Sequence, residues 1–327
     1  MRKTLFFMLL VLFLGAGGAS LKLWTDYTKA GPLSASADVV VPHGNYLRTI
    51  HTLQDANVLP KGSYAEHFAL LAIGLTRKDG QLHAAELHFP AHVSIKQALV
   101  VLRHGKPVMH KLTIPEGLSA AQIEALINED DLLTGTLPHI PEGSVMPETY
   151  SYVRNTSRAD FLTRTQSAMQ QAVAKIWQER AASLGIPDPH ALVTLASLIE
   201  KETALPDERP LVARVFLNRL QSGMKLQTDP TVIYALTNGG APLDRPLTHS
   251  DLHTPNPYNT YMYTGLPPGP ICAPSLSALT AAAHPAEGDV LYFVADGKGG
   301  HKFSKTLSDH NKNVSNFRKA QQNSSEK

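Results

Sequence analysis

Residues Leu5 to Leu21 (LFFMLLVLFLGAGGASL) form an apolar run without a single charge. A helix rises ~1.5 Å per residue, so such a run can cross most of a ~30 Å hydrocarbon core. Arg2 and Lys3 precede it and favour an N-terminus kept in the cytoplasm, while Lys22 can snorkel to the far interface and Trp24 suits that interface. Residues 1–24 are therefore expected to be a single-pass anchor, with everything after Trp24 outside the cytoplasm. The competing reading is a cleaved signal peptide, because Gly17-Gly18-Ala19 offers the small residues a signal peptidase prefers.

The rest of the chain has to fold in water. The whole has 327 residues, room for about two domains. Cys272 is the only cysteine, so no internal disulfide can form. With 30 Lys and Arg against 28 Asp and Glu, the net charge is only +2, which excludes the clustered positive field of a nucleic-acid binder. At 43% hydrophobic and 18% charged residues, the chain reads as globular rather than disordered.

Residues 25–37, ending in the small and polar stretch LSASA, read as a linker. Val39-Val40-Val41 then ends at Pro42 and Gly44, and Leu47, Ile50 and Leu53 recur three apart, as on one helix face. This strand, turn, helix order returns twice. Leu87-His88-Phe89-Pro90 precedes Ser94 and a helical pattern from Ile95, and Leu112-Thr113-Ile114-Pro115 precedes Ser119 and another. Ser94 and Ser119 stand where an N-cap satisfies free amides of the first turn. Residues 38–130 thus read as a small α+β unit.

Residues 131–184 read as a Pro-rich connection followed by a helix over 158–184. In 185–320, Asp188 is a candidate N-cap with Pro189 at the first helical position. That helix is expected to run through Thr203, with others after Pro206 and after Asp229-Pro230. Six prolines around Tyr258, Tyr261 and Tyr263 stiffen 255–275, Val290–Ala295 reads as a buried strand with His301–Ser304 as its hairpin partner, and a helix runs from Leu307 to about Lys319. The tail 321–327 is expected to be disordered.

The chemistry-bearing candidates lie in Leu195-Ala196-Ser197-Leu198-Ile199-Glu200-Lys201-Glu202-Thr203. At helical pitch, Glu200 and Glu202 both interrupt the apolar arc, yet they point well over ~90° apart and cannot form a carboxylate pair. A carboxyl group in apolar surroundings is favoured in its neutral form and can deliver a proton; a structural role, pairing with Arg209 or Arg214, competes. Spacing alone does not choose between the two acids. Asn218, Gln227, Asp229, Tyr258, Asn259 and Tyr261 are candidate substrate-binding residues, because amides and hydroxyls bond sugar hydroxyl and acetamido groups while rings cover apolar sugar faces. Asp229 has a competing role as a helix cap. The histidines are scattered, and His249 and His253 lack a third ligand, so no metal and no cofactor is expected.

Several ordered blocks, Ala196 to Thr203, Val215-Phe216-Leu217-Asn218-Arg219-Leu220, Leu226 to Tyr234, Tyr258-Asn259-Thr260-Tyr261, Gly265 to Ile271 and Tyr292 to Gly297, closely resemble the YceG-like family of MltG-type endolytic murein transglycosylases. Only Cys272-Ala273-Pro274-Ser275 and the turn residues His43 and His92 fall outside the pattern. The resemblance implies an inner-membrane anchor, a LysM-like peptidoglycan-binding subdomain over 38–130 and a periplasmic, mainly helical catalytic domain over 185–320, an α+β architecture as a whole. It also implies that Glu200, not Glu202, is the catalytic acid, that the substrate is the MurNAc-β-1,4-GlcNAc bond of peptidoglycan, and that synthases or division machinery are protein partners. Two rival readings stand beside it: a hydrolytic muramidase, with Asp229 or Glu148 positioning a water, and a non-catalytic, membrane-tethered peptidoglycan-binding module.

Overall fold

The computed structural model describes residues 2–182 and 184–325. It is a mixed helix and strand protein that divides into two compact units, residues 1–110 and 111–327.

The first unit contains α1 (Arg2–Thr28), β1 (Ala37–Val40), α2 (Tyr46–Asp55), α3 (Ser63–Leu75), β2 (Glu86–Phe89) and α4 (Ile95–His104). β1 and β2 are antiparallel, with Val39 opposite Leu87. These two side chains face one core with Ile50, Leu53, Phe68, Phe89 and Leu102. Alternation along a strand and a three-to-four spacing along a helix each put one face into that core. Asn45 caps α2, and Ser94 with Gln97 forms a reciprocal capping box at α4. α3 carries no clear sequence period, since FALLAIGL is a nearly continuous apolar run that reads equally as strand or helix.

The segment expected to be a free linker is packed instead. α1 continues to Thr28, past Trp24. Leu33 is buried, His92 N–H donates to its carbonyl at 2.7 Å, and Gly31 N–H donates to His92 O at 3.2 Å. A Cβ on Gly31 would lie 2.2 Å from the Val93 carbonyl oxygen, so only glycine lets the chain approach this closely.

β3 (Met109–Thr113) leads into the second unit, which holds α5 (Ala120–Asn128), β4 (Thr149–Val153), α6 (Arg158–Glu179), α7 (Pro189–Glu202), α8 (Arg209–Gln221), α9 (Asp229–Thr237), α10 (Leu276–Ala283), β5 (Tyr292–Ala295), β6 (His301–Ser304) and α11 (Leu307–Ser325). The third strand-turn-helix copy therefore belongs here and not with residues 38–104, because β3 pairs with β4, a strand hidden in the sequence by its Pro-rich surroundings. α5 has the same capping box as α4, from Ser119 and Gln122. One core gathers Ile114, Ile123, Ile127 and Phe161, with Tyr150 and Tyr152 edge-on to the Phe161 ring at 5.8 and 5.7 Å.

The other core surrounds α7, whose residues Ala191 to Ile199 are all buried. A helix buried all round, its Thr194 and Ser197 hydroxyls bonded back to its own carbonyls, belongs at the centre of a bundle, and α6, α8 and α10 pack around it. Asp188 caps it and Pro189 occupies its first turn. α6 ends at Glu179, short of the expected 184, where Arg180 turns extended and its guanidinium sits 3.9 Å over the Trp177 ring. β5 and β6 pair antiparallel, though β5 is half-buried rather than fully buried. α11 continues through residues 321–325 of the expected disordered tail, a polar stretch with no Gly or Pro to stop it; residues 326–327 lie outside the described residues.

Candidate active site

Both candidate acids lie in the last turn of α7, where the unpaired carbonyls give the helix end a partial negative charge. Carboxylates are poorly placed there unless donors are brought to them, and the fold brings a separate set to each.

Glu200 lies on the α8 and α10 side. Its Oε1 accepts a hydrogen bond from Arg209 Nη2 at 2.9 Å, and its Oε2 accepts from Ser275 N–H at 2.8 Å and from Ser275 Oγ at 2.5 Å. Ser275 caps α10, so the carboxylate rests on a helix N-terminus whose partial positive charge favours an anion. Arg209 Nη1 also donates to Ser275 Oγ at 2.9 Å, closing a three-residue ring. Glu200 and Arg209 side chains are each only 6% exposed. On the outer side of the guanidinium, Glu116 Oε2 lies 3.7 Å from Nη2 and is half open to solvent. The surroundings of Glu200 are thus charged and hydrogen-bonded, not apolar as its helix position suggested. The pairing with Arg209 that the sequence offered as a structural role is found; Ser275, 75 positions away in sequence, was not legible as a partner.

Glu202 points to the other flank, toward Thr228, whose Oγ1 donates to its Oε1. Burial pushes its pKa up, only partly opposed by that hydrogen bond. The environment expected of a neutral carboxyl is found here, one turn face away from Glu200.

Cavities lie in this unit, two of them lined by the residues that end α7, Lys201 and Glu202. One of about 460 Å³ is lined by Gly117, Gln122, Lys201, Asp229, Tyr234 and the 239–247 loop. Another of about 540 Å³ runs from Glu116 to Pro210, Leu276 and His284. Gly117 (φ 74°) lines the first and packs closely on the helix end: a Cβ there would lie 3.9 Å from Glu200 Cγ and 3.6 Å from Lys201 Cδ. Lys201 Nζ donates to its carbonyl at 3.3 Å. A third, polar cavity of about 330 Å³ contains Glu202, Arg219, Gln227, Asp229, Tyr261 and His310.

The sequence-proposed binding residues separate into two groups. Gln227 (φ 51°), Asp229 and Tyr261 come together in the third cavity, where Tyr261 Oη donates to Asp229 Oδ1 at 2.6 Å and burial raises the Tyr261 pKa. Asp229 is not the helix cap; Thr228 holds that position, and Asp229 lines both this cavity and the first. Tyr258 packs on Tyr234 at 4.8 Å between ring centroids, beside the core. Asn218 and Asn259 hold loops instead of facing a cavity. Asn218 Nδ2 donates to Val290 O at 2.9 Å, and Asn259, 1% exposed, donates to Leu252 O and Thr254 O and accepts from Tyr261 N–H. Among the described residues no group of three His, Cys, Asp or Glu gathers as a ligand set; His253 Nδ1 bonds to His249 O at 2.8 Å. Cys272 is buried against α7, its Sγ 3.4 Å from Ser197 O, and burial raises its thiol pKa. Ser275, in the segment that fell outside the family pattern, turns out to be the residue that cradles Glu200. Its N-cap position ahead of the Ala-rich run of α10 was the available signal.

The profile of the YceG-like family matches residues 39–316, most of the chain. The chain belongs to the YceG-like family. It is 38% identical over 183 residues to the endolytic murein transglycosylase of Bacillus subtilis, covering 56% of this chain and 49% of that protein. To the endolytic murein transglycosylase of Streptococcus pneumoniae strain D39 it is 27% identical over 84% of this chain and 57% of that one. The chain thus spans about half the length of the curated relatives it matches. A crystal structure of a yceG-like protein from Listeria monocytogenes superimposes with a TM-score of 0.54 at 30% identity, covering 85% of this chain and 98% of that one.

Proposed function

We propose that this chain is an endolytic peptidoglycan lytic transglycosylase, cutting the MurNAc-β-1,4-GlcNAc bond within nascent glycan strands and leaving 1,6-anhydro-MurNAc ends, so ending strand elongation. The observation that carries the reading is the carboxyl of Glu200, held by Arg209 and Ser275 at the end of α7, in a chain whose relatives bear that name. Glu200 protonates the glycosidic oxygen as the C1–O bond breaks. As carboxylate it then takes the proton of the C6 hydroxyl while O6 bonds to C1 and closes the anhydro ring. No water enters, so one acid serves both halves where a hydrolase needs two. Arg209 and Ser275 stabilise the carboxylate between the halves.

In the same reading, α1 anchors the protein in the inner membrane, its segment Phe6–Thr28 having a mean hydropathy of 1.9. The catalytic unit faces the periplasm, and the α+β fold of the first unit is a LysM-like peptidoglycan-binding module. Synthases or division proteins are the protein partners this location implies. End-group analysis of products from purified glycan strands tests the reaction class: non-reducing anhydro ends are expected. Reducing ends would support the muramidase alternative, in which Asp229 or Glu148 places a water, and no cleavage would support a binding module.

A further inference from the structure

We propose that the first unit inserts an apolar face into the outer leaflet of the membrane, so that α3 and the end of α1 together grip the lipid surface; this rests on the reading of α1 as a membrane span. The observation is a groove of about 270 Å³, lined mostly by apolar atoms, between the end of α1 (Ser20, Leu23, Trp24) and α3 (Leu71, Leu75). Leu75 is 73% exposed, Leu71 49% and Trp24 58%. Tyr64, Leu71 and Leu75 fall on one stripe of α3 at helical spacing.

The level of this groove relative to the bilayer is set by α1 itself. The helix does not end at the membrane and swing free. It runs unbroken into the folded unit, where Asp26 is held by Lys22 at 3.1 Å, Lys29 at 2.8 Å and Tyr64 Oη at 2.8 Å. Tyr27 packs against the same core as α4. Relative position is therefore fixed by packing, not by a linker. If Leu5 to Leu21 fills the hydrocarbon, Ser20 to Trp24 lie at the far interface, and the Leu71 and Leu75 side chains that share their groove lie there too. Left in water, this would be an exposed apolar patch continuous with the span; at the interface it is covered by acyl chains.

The rim has the charge such a surface requires. Arg77 and Lys78 come directly after Leu75 and Thr76, and Lys96 lies over the Trp24 ring at 5.7 Å. Asp79 is the acid nearest to them in sequence. Cations at this depth meet anionic headgroups. The expected occupant is the leaflet itself, not a protein partner.

The test uses the full chain in vesicles of phosphatidylcholine and phosphatidylglycerol. Single cysteines at Leu71, Leu75, Val11 and Leu47 carry a nitroxide label; the buried Cys272 of the unmodified chain supplies the labelling background. Leu75 and Val11 are exposed positions, so substitution there removes no core packing. Leu47 lies a turn before His51, which bonds to Glu66 near the opposite end of α3. Labels at Leu71 and Leu75 should relax with lipid-dissolved oxygen, as at Val11, and be shielded from a water-soluble nickel chelate, while Leu47 should show the reverse. A Leu75 label as open to nickel as Leu47, with Val11 still in lipid, would overturn the proposal and leave the anchor standing. Nickel access at Val11 would overturn both.

Discussion

Replacing Arg209 by methionine removes the cation from the ring that holds Glu200 and leaves its stem volume nearly unchanged. Each side chain is only 6% exposed, so water does not take the place of the lost partner. Breaking a buried ion pair on one side costs ~3–5 kcal/mol, because the remaining charge is left without a counterpart. Here Ser275 N–H and Oγ still hold Oε2 at 2.8 and 2.5 Å, and Arg209 Nε has no partner to lose, so the lower end, about 3 kcal/mol, applies. For a domain of this size that is a fall of ~6–12 °C in melting temperature. Glu200→Gln should also destabilise, since its amide nitrogen meets the Ser275 donors or the guanidinium. The double variant Glu200→Gln with Arg209→Met should melt above the sum of the single losses, with a coupling of ~0.5–3 kcal/mol. Thermal melts of the four proteins, checked for refolding, read this directly. An Arg209→Met melt within ~2 °C of the parent, or strictly additive losses, would refute the buried ring as the support of Glu200.

Three further outcomes are expected. Glu202 has its folded pKa raised by burial, so the folded state holds its proton at pH values where the unfolded chain has released it, and stability from this group falls as pH rises above the ordinary glutamate range. Glu202→Gln should therefore melt higher than the parent near neutral pH, with the gap closing as pH falls toward 4; a gap that is constant or widens on acidification would contradict this. Ser275→Ala should lose ~1 kcal/mol from the α10 cap together with two bonds in the Glu200 ring, and turnover should fall more than stability; a variant with full turnover would remove Ser275 from the site. Gly143→Ala places a Cβ 2.7 Å from Pro270 at φ 69°, so both strain and clash apply; a melt unchanged from the parent would show that the loop behind the cavities gives way.

Much of the second unit was written in local signals. Asp188 and Pro189 marked the start of α7, the apolar arc of residues 191–199 marked its burial, and the two acids in its last turn marked where the core opens. Ser94 and Ser119 marked α4 and α5. The rest depended on chain segments far apart. Thr228 and Asp229 are both good capping residues one position apart, yet neither side chain caps α9: Thr228 stands at the N-cap position but donates to Glu202, and Asp229 accepts from Tyr261 and lines the cavities. The amides of Asn218 and Asn259 suit a sugar in isolation, but the loops at 288–290 and 252–254 claim them first. Glu200 was marked by its helix and by the family pattern, and Arg209 was a named candidate partner, but the cradle as a whole was not legible, because the Ser275 donors arrive from the distant cap of α10. α3 and β4 escaped because neither a continuous apolar run nor a Pro-flanked tyrosine pair carries a period.

The most direct test is turnover of isolated glycan strands by Glu200→Gln and Glu202→Gln, measured beside the parent with folding verified for each. A group serving as acid in one half of the reaction and base in the other should cost at least ~10⁴-fold when its proton is removed, so Glu200→Gln should be essentially inactive while Glu202→Gln keeps most of its activity. Undiminished turnover in Glu200→Gln, or its loss in Glu202→Gln alone, would contradict the assignment of the catalytic acid.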